Sequence, residues 1–157
     1  MAIRWWHGVS AVLLLAAAPA QAVEPVEGVD GLVATSSPYS PGETMDRFEA
    51  AAEAAELNVF ARIDHAEGAA GIGEELAATE LLVFGNPEGG TPFMQCAQTV
   101  GIDLPLKALV WQDDEGEVWL GYNDPHYLAE RHGGEDCPAA QAIAEALPQL
   151  VAGALDQ

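Results

Sequence analysis

Positive charge is almost missing from this chain. Five Lys and Arg stand against 25 Asp and Glu in 157 residues, a formal net charge of −20, and Lys107 is the only lysine. Nucleic acids and anionic lipid surfaces are bound by neutralising their phosphates with Lys and Arg, so both are excluded as partners. The acids are scattered and form no acidic tail, which suits solubility or life in high salt better than one dedicated cationic partner. Serine is nearly as scarce. Beyond residue 22 it occurs only as Ser36, Ser37 and Ser40, and no G-x-S-x-G string exists, which excludes a serine nucleophile elbow. Cysteine occurs twice, as Cys96 and Cys137, without the C-x-x-C spacing of a thiol oxidoreductase or a zinc site.

Long apolar runs are also missing, with one short exception from Val9 to Ala18. That run is too short for the roughly 20 residues that span a bilayer. It follows Arg4 and precedes the small-x-small triplet Ala20-Gln21-Ala22, the pattern of a Sec-type signal peptide cleaved between Ala22 and Val23. The expected address is therefore periplasmic or secreted, with no membrane span in the mature chain. In such a compartment a single pair of cysteines reads first as a disulfide between Cys96 and Cys137. It would also remove the thiolate that cysteine catalysis needs. The organisation expected is a signal peptide at 1–22, a leader at 23–30, a domain at 31–133 and a C-terminal helical tail at 134–157.

Within the domain, hydrophobic periodicity gives the elements. DGLVATSS and NVFARID read as strands, the second with Val59, Ala61 and Ile63 alternating against Phe60 and Arg62. Between them Ser40, Pro41 and Glu43 open a helix with the stripe Met45, Phe48, Ala52 and Ala55. HAEGAAGIGEEL is a short helix or an ordered loop, and TELLVFG a central strand of continuous apolar character. LPLKALVWQ and EVWLGYN form a hairpin across the turn Asp113-Asp114-Glu115-Gly116. A helix capped by Asp124 and stopped at Gly133 follows. In the tail, Ile143, Leu147, Leu150 and Val151 share one helical face, interrupted or kinked at Pro148. The order predicts an α+β fold of two layers, an antiparallel sheet with helices packed on one face.

The glycine-rich string GNPEGGTP, between TELLVFG and a helix expected to start at Thr91-Pro92, invites a test for phosphate binding. It lacks the G-x-x-x-x-G-K-[ST] lysine and carries Glu88, Thr91 is placed as the cap, and Pro92 has no N–H to give. Gly85, Gly89 and Gly90 then read as suppliers of unusual backbone angles in a tight connection. FGNPEGGTPFMQ, with GIDLPLKALVW, the acidic hairpin turn and VWLGYNDPHYLAERHG, resembles a bacterial and archaeal family known as domain of unknown function 302. The preceding TSSPYSPGETMDRFEAAAE and FARIDHAEGA fit it as well. The resemblance runs from about Gly31 to Gly133 and implies a compact α+β domain that pairs as a homodimer, with no reaction and no catalytic residues to carry over.

The residues leave three function classes. The first is an exported, disulfide-closed, homodimeric binding or interaction module without catalysis. The second is a metal or haem handling protein drawing on His65, His126, His132, Met94 and Cys96. His126 and His132 are six residues apart, about 240° around a helix, so they do not share a face; Glu130 is the i, i+4 neighbour of His126 and completes a metal candidate of His65, His126 and Glu130. The third is an enzyme acting through Lys107. Alternation puts Lys107, Leu109 and Trp111 on one strand face. Lys107 there is either an edge-strand gatekeeper against aggregation or, with Trp111 and His65, the wall of a cleft for a small anionic or carbonyl ligand. Tyr122 and Asn86 complete the ligand candidates. Trp111 and Trp119 lie on adjacent strands, where packing in the core or a dimer is the expected role and a stack over a groove or across a dimer interface the alternative.

Overall fold

The computed structural model describes residues 22–156, and the apolar run at 9–18 of the expected signal peptide lies outside them. Local signals explain most element boundaries. After the short β1 (Glu24–Pro25) and β2 (Leu32–Ser37), Ser40 caps α1 (Pro41–Ala54), its hydroxyl accepting from the Glu43 N–H at 3.4 Å. Met45, Phe48 and Ala52 are buried as expected; Ala55 is instead the exposed C-cap, because the helix ends at Ala54. β3 (Asn58–Asp64) leads straight into α2 (His65–Ala70), which Asp64 caps by accepting from the Glu67 N–H at 2.9 Å. β4 (Thr79–Gly85) is followed by α3 (Pro87–Cys96) and a 3-10 turn (Gln98–Ile102). The hairpin of β5 (Leu106–Gln112) and β6 (Val118–Asn123), then α4 (Pro125–Arg131) and α5 (Pro138–Leu155), complete the chain.

Three expectations need correction. α3 begins five residues earlier than Thr91-Pro92 implied, since Asn86 is the cap, its Oδ1 accepting from the Gly89 N–H at 2.9 Å, and Pro87 takes the first helical position. Gly89 and Gly90 therefore have helical backbone, and only Gly85, at φ 146°, uses glycine's freedom. In β3 a bulge between Val59 and Ala61 breaks the alternation. Val59 pairs with Phe84 on the helix side, while Ala61 and Ile63 turn to the other face. α5 runs through Pro148 without interruption.

The six strands form one antiparallel sheet in the order β1-β2-β6-β5-β4-β3, so β1 and β3 are the edges. α1 carries the chain from β2 across the sheet to β3. α1 and α5 pack side by side on one face, and the α+β expectation of helices against an antiparallel sheet holds. On that face Leu82, Phe84, Ala108, Val110, Leu120 and Tyr122 meet Met45 and Phe48 of α1 and Leu147 and Val151 of α5. Phe48 stands edge-on to Phe84 with centroids 5.2 Å apart, a contact that adds about 1 kcal/mol to the burial of both rings. A second, smaller core under the C-terminal half gathers Phe93, Val100, Leu128, Cys137 and Ala140. α5 thus belongs to both cores.

The opposite sheet face has a different character. Ile63, Leu81, Leu109, Gly121 and Ala34 lie in register across it, with Trp111 opposite Trp119 one step along. The two indoles stack at 6.3 Å and 18°. Gly121 makes this possible: a Cβ there would stand 3.0 Å from the Trp111 ring and 2.9 Å from the Val33 carbonyl oxygen. None of Leu81, Leu109, Trp111 and Trp119 belongs to either core cluster.

Candidate functional site

Where α3 leaves the sheet, small side chains fail to fill the space between three elements. α5 presents Ala139, Ala142 and Ala146 toward the start of α3, which offers Gly89 and Gly90, and Leu104 closes the floor. The result is a groove of about 710 Å³. That volume falls within the range of small-molecule sites. Nothing in the backbone demands the glycines. A Cβ on Gly89 would meet Asn86 Oδ1 at 3.6 Å and one on Gly90 would meet Leu104 Cδ1 at 3.8 Å, both ordinary contacts. Each glycine costs a helix interior about 1 kcal/mol relative to alanine, so the open groove carries a stability cost.

The lining is apolar with one charge. Phe60, 57 % exposed, and Met94, 36 % exposed, stand at the groove as large apolar groups in water. Among the described residues that line it only Asn86, Glu88 and Thr91 have polar side chains; Glu88 alone is an ionisable group, and none is Lys, Arg or His. The Asn86 oxygen is already engaged in capping α3.

Of the ligand candidates read from the sequence, only Asn86 lies at this groove. Lys107 and Trp111 share the sheet face opposite α1 and α5, as alternation predicted, but four residues apart and thus about 13 Å along the strand. β5 lies between β4 and β6, so Lys107 is not on an edge strand. Its ammonium donates to the backbone oxygens of Asp103 at 2.7 Å and Pro105 at 2.9 Å. Burial lowers its pKa, with Asp103 opposing. Tyr122 faces the helices instead, on the other side of the sheet, where burial and then the Asp124 charge push its phenol up to about 12. His65 opens α2 beyond the end of β3 paired with Glu80, at the Trp111 end and not the Lys107 end.

The metal candidates are likewise dispersed: His65 is on α2, His126 and Glu130 on α4, all exposed. Among the described residues no group of three or more His, Cys, Asp or Glu is placed to hold a metal ion. Cys96 is bonded to Cys137, so its sulfur is committed.

A polar cluster that sequence reasoning missed sits beside the second core. His132 Nε2 lies 2.7 Å from Asp103 Oδ2 and its Nδ1 2.9 Å from Thr99 Oγ1, while Arg131 donates to Asp103 Oδ1 at 3.1 Å. Another cluster spans the edge strand: Arg62 bridges Asp46 and Glu49 of α1 and Glu80 of β4, and its guanidinium is held charged foremost by the Glu80 hydrogen bond. Trp119 Nε1 donates to Asp113 Oδ2 at 2.8 Å, the main reason that carboxyl is lowered.

Comparison with known proteins adds the following. The family model described as domain of unknown function DUF302 matches residues 33–153, through most of α5. A solved structure, of an uncharacterized conserved DUF302 protein from Bacillus stearothermophilus, superposes with a TM-score of 0.65 at 22 % identity, covering 82 % of this chain and 98 % of that one. At that identity it supports the fold alone. Two relatives, each called fluoride-specific ion channel FluC 1, come from Brucella suis biovar 1 (strain 1330) and Brucella abortus biovar 1 (strain 9-941). Each is 50 % identical over 102 residues, or 65 % of this chain. The match spans only 40 % and 38 % of their lengths.

Proposed function

This chain belongs to the DUF302 family, and we propose that it is an exported binding module, acting in the periplasm as a homodimer and without catalysis of its own. The observation that supports this reading is the groove: about 710 Å³, apolar, lined by glycines and alanines, with room for a methyl at Gly89 and Gly90. Pairing would use the sheet face opposite α1 and α5. Two copies of so acidic a chain repel one another unless the contact patch carries little charge. This face offers Ile63, Leu81, Leu109, Trp111 and Trp119; its lysine is turned onto backbone carbonyls, and the Asp113 carboxylate beside the face accepts from the Trp119 indole. Catalysis through Lys107 finds less support, since the ammonium is engaged and lies on the other face from Tyr122. Metal or haem handling lacks a gathered ligand set among the described residues.

The test is native mass spectrometry of protein released from the periplasm, beside the variant Ala142→Leu, which narrows the groove. The expected result is a dimer beginning at Val23, with a retained small-molecule mass that the variant loses. Ligand-free protein in both samples, or a chain with its signal peptide intact in the soluble extract, would overturn the reading.

The Brucella relatives favour a second, compatible role. An ion path needs membrane-spanning segments, and no helix among the described residues here is long and apolar enough to cross a membrane. Conduction in those relatives is therefore assigned to the part of their length that this chain does not match. The matched part would be an appended module, and this chain a counterpart that meets a membrane protein from outside. Loss of fluoride tolerance on deleting the gene would support that role; unchanged tolerance would count against it.

A further inference from the structure

We propose that the groove takes a lipophilic cation: an apolar body carrying one ammonium or similar positive group. The inference rests on the binding-module reading above and specifies its ligand class. Two features of the lining carry it. First, the apolar walls, from Leu104 and Ile143 to the alanines of α5, offer a body nothing but dispersion contact and release of water. Second, the described lining residues include no cation, so a fatty-acid carboxylate or a phosphate head would enter without a counter-charge and meet Glu88 instead. A positive head finds the reverse. Glu88 supplies the counter-charge, and the exposed Phe60 ring lines the same groove, the kind of surface that quaternary ammonium groups prefer.

Two rival explanations of Glu88 are separable. As a first-turn residue it also suits the positive end of the α3 dipole, which alone would make it structural. That same end could attract an anionic head in spite of Glu88. The overall negative field attracts any cation, but at physiological ionic strength it is screened beyond about 8 Å.

The experiment is isothermal titration of the whole mature chain in physiological salt with three probes of one tail length: decyltrimethylammonium, decanol and decanoate. The expected order places the cation on the order of tenfold tighter than the alcohol and decanoate weakest, a tenfold ratio corresponding to about 1.4 kcal/mol. Glu88→Gln should bring the cation to the level of the alcohol, whereas Glu117→Gln, the same charge change in the exposed β5–β6 turn, should leave the preference intact. Ala142→Leu should weaken all three probes. Alcohol binding as tight as the cation, a preference that survives Glu88→Gln, or tighter decanoate would overturn the ligand class while leaving the groove as a binding site. No binding of any probe, or binding that ignores Ala142→Leu, would overturn the groove reading itself.

Discussion

His132 and Asp103, 29 residues apart in sequence, lock together at 2.7 Å with the histidine side chain only 9 % exposed. The carboxylate fixes the ring so that its other nitrogen reaches the Thr99 hydroxyl at 2.9 Å. One side chain thereby ties the end of α4 to the 3-10 turn that leads into β5 and the groove floor. His132→Ala should leave Asp103 and Thr99 without this partner and cost about 1–3 kcal/mol in urea denaturation. Thr99→Ala, at an exposed hydroxyl, should cost under about 1 kcal/mol. Equal stabilities for the parent and His132→Ala would show that the clamp contributes nothing.

Cys96 and Cys137 make a covalent tie across the same region, joining the end of α3 to the cap of α5 over a separation of 41 residues. In the chain-entropy account a loop of this size is worth ~4 kcal/mol, a large share of a small domain's stability. Replacing both by alanine should lower the denaturant midpoint while the cooperative transition remains. Thiol titration of the unfolded, unreduced parent should find no free thiol; two would contradict the bond.

How legible these features were depends on how local they are. Ser40-Pro41-x-Glu43 announces its helix because cap and partner are three residues apart, whereas the stretch after Asp64 reads equally as a short helix or an ordered loop until the Asp64 cap on the Glu67 N–H is in place. The start of α3 expected from the sequence is Thr91-Pro92, and the structure places it at Asn86-Pro87, a cap-proline pair of the same kind that is closed by the hydrogen bond from the Gly89 N–H. The β3 bulge adds one residue that no periodicity reveals. The groove is made by side chains that are not there, at Gly89, Gly90 and Ala142, and it exists only once α3, α5 and the start of β5 come together. The spacing of Ala139, Ala142 and Ala146 at i, i+3 and i+7 was the available hint, one that also describes ordinary helix packing.

Tyr122 predicts an alkaline limit. An unfolded tyrosine titrates near 10, and in the folded chain burial holds this phenol up to about 12. Between those values the unfolded state has already lost the proton that the folded state keeps, so stability is complete below pH 10 and falls as pH rises through the window. Urea midpoints from pH 9 to 12 should show the decline, and Tyr122→Phe should flatten it. An equally steep decline in the variant would place the cause elsewhere.

Gly90 tests whether the groove is maintained at a cost. The residue is helical, and an added methyl would meet Leu104 Cδ1 at 3.8 Å, an ordinary contact. Gly90→Ala should therefore stabilise the chain by about 0.5–1 kcal/mol while narrowing the groove. A rise in thermal midpoint together with weaker decyltrimethylammonium binding is the expected pair of results. A lower midpoint would show that the position needs glycine for reasons of backbone or packing.

The last prediction concerns the sheet face opposite α1 and α5. Ile63 is 42 % exposed and stands in line with Leu81 and Leu109, beside the stacked indoles of Trp111 and Trp119. An apolar row in the middle of a six-stranded sheet is a natural contact for a second copy, because sheet faces pack at about 10 Å with their side chains interleaved. Leu109 is the residue to change. It lies on an interior strand with its side chain away from the main core, so a carboxylate there leaves Leu82, Phe84 and Val110 undisturbed. Two copies of Leu109→Asp would bring like charges together in a desolvated seam, at a cost of several kcal/mol to association. Sedimentation velocity at micromolar concentration should find a dimer for the parent and a monomer for the variant, with circular dichroism unchanged. A monomeric parent would remove the pairing from this face, and a variant that still dimerises would move it to another.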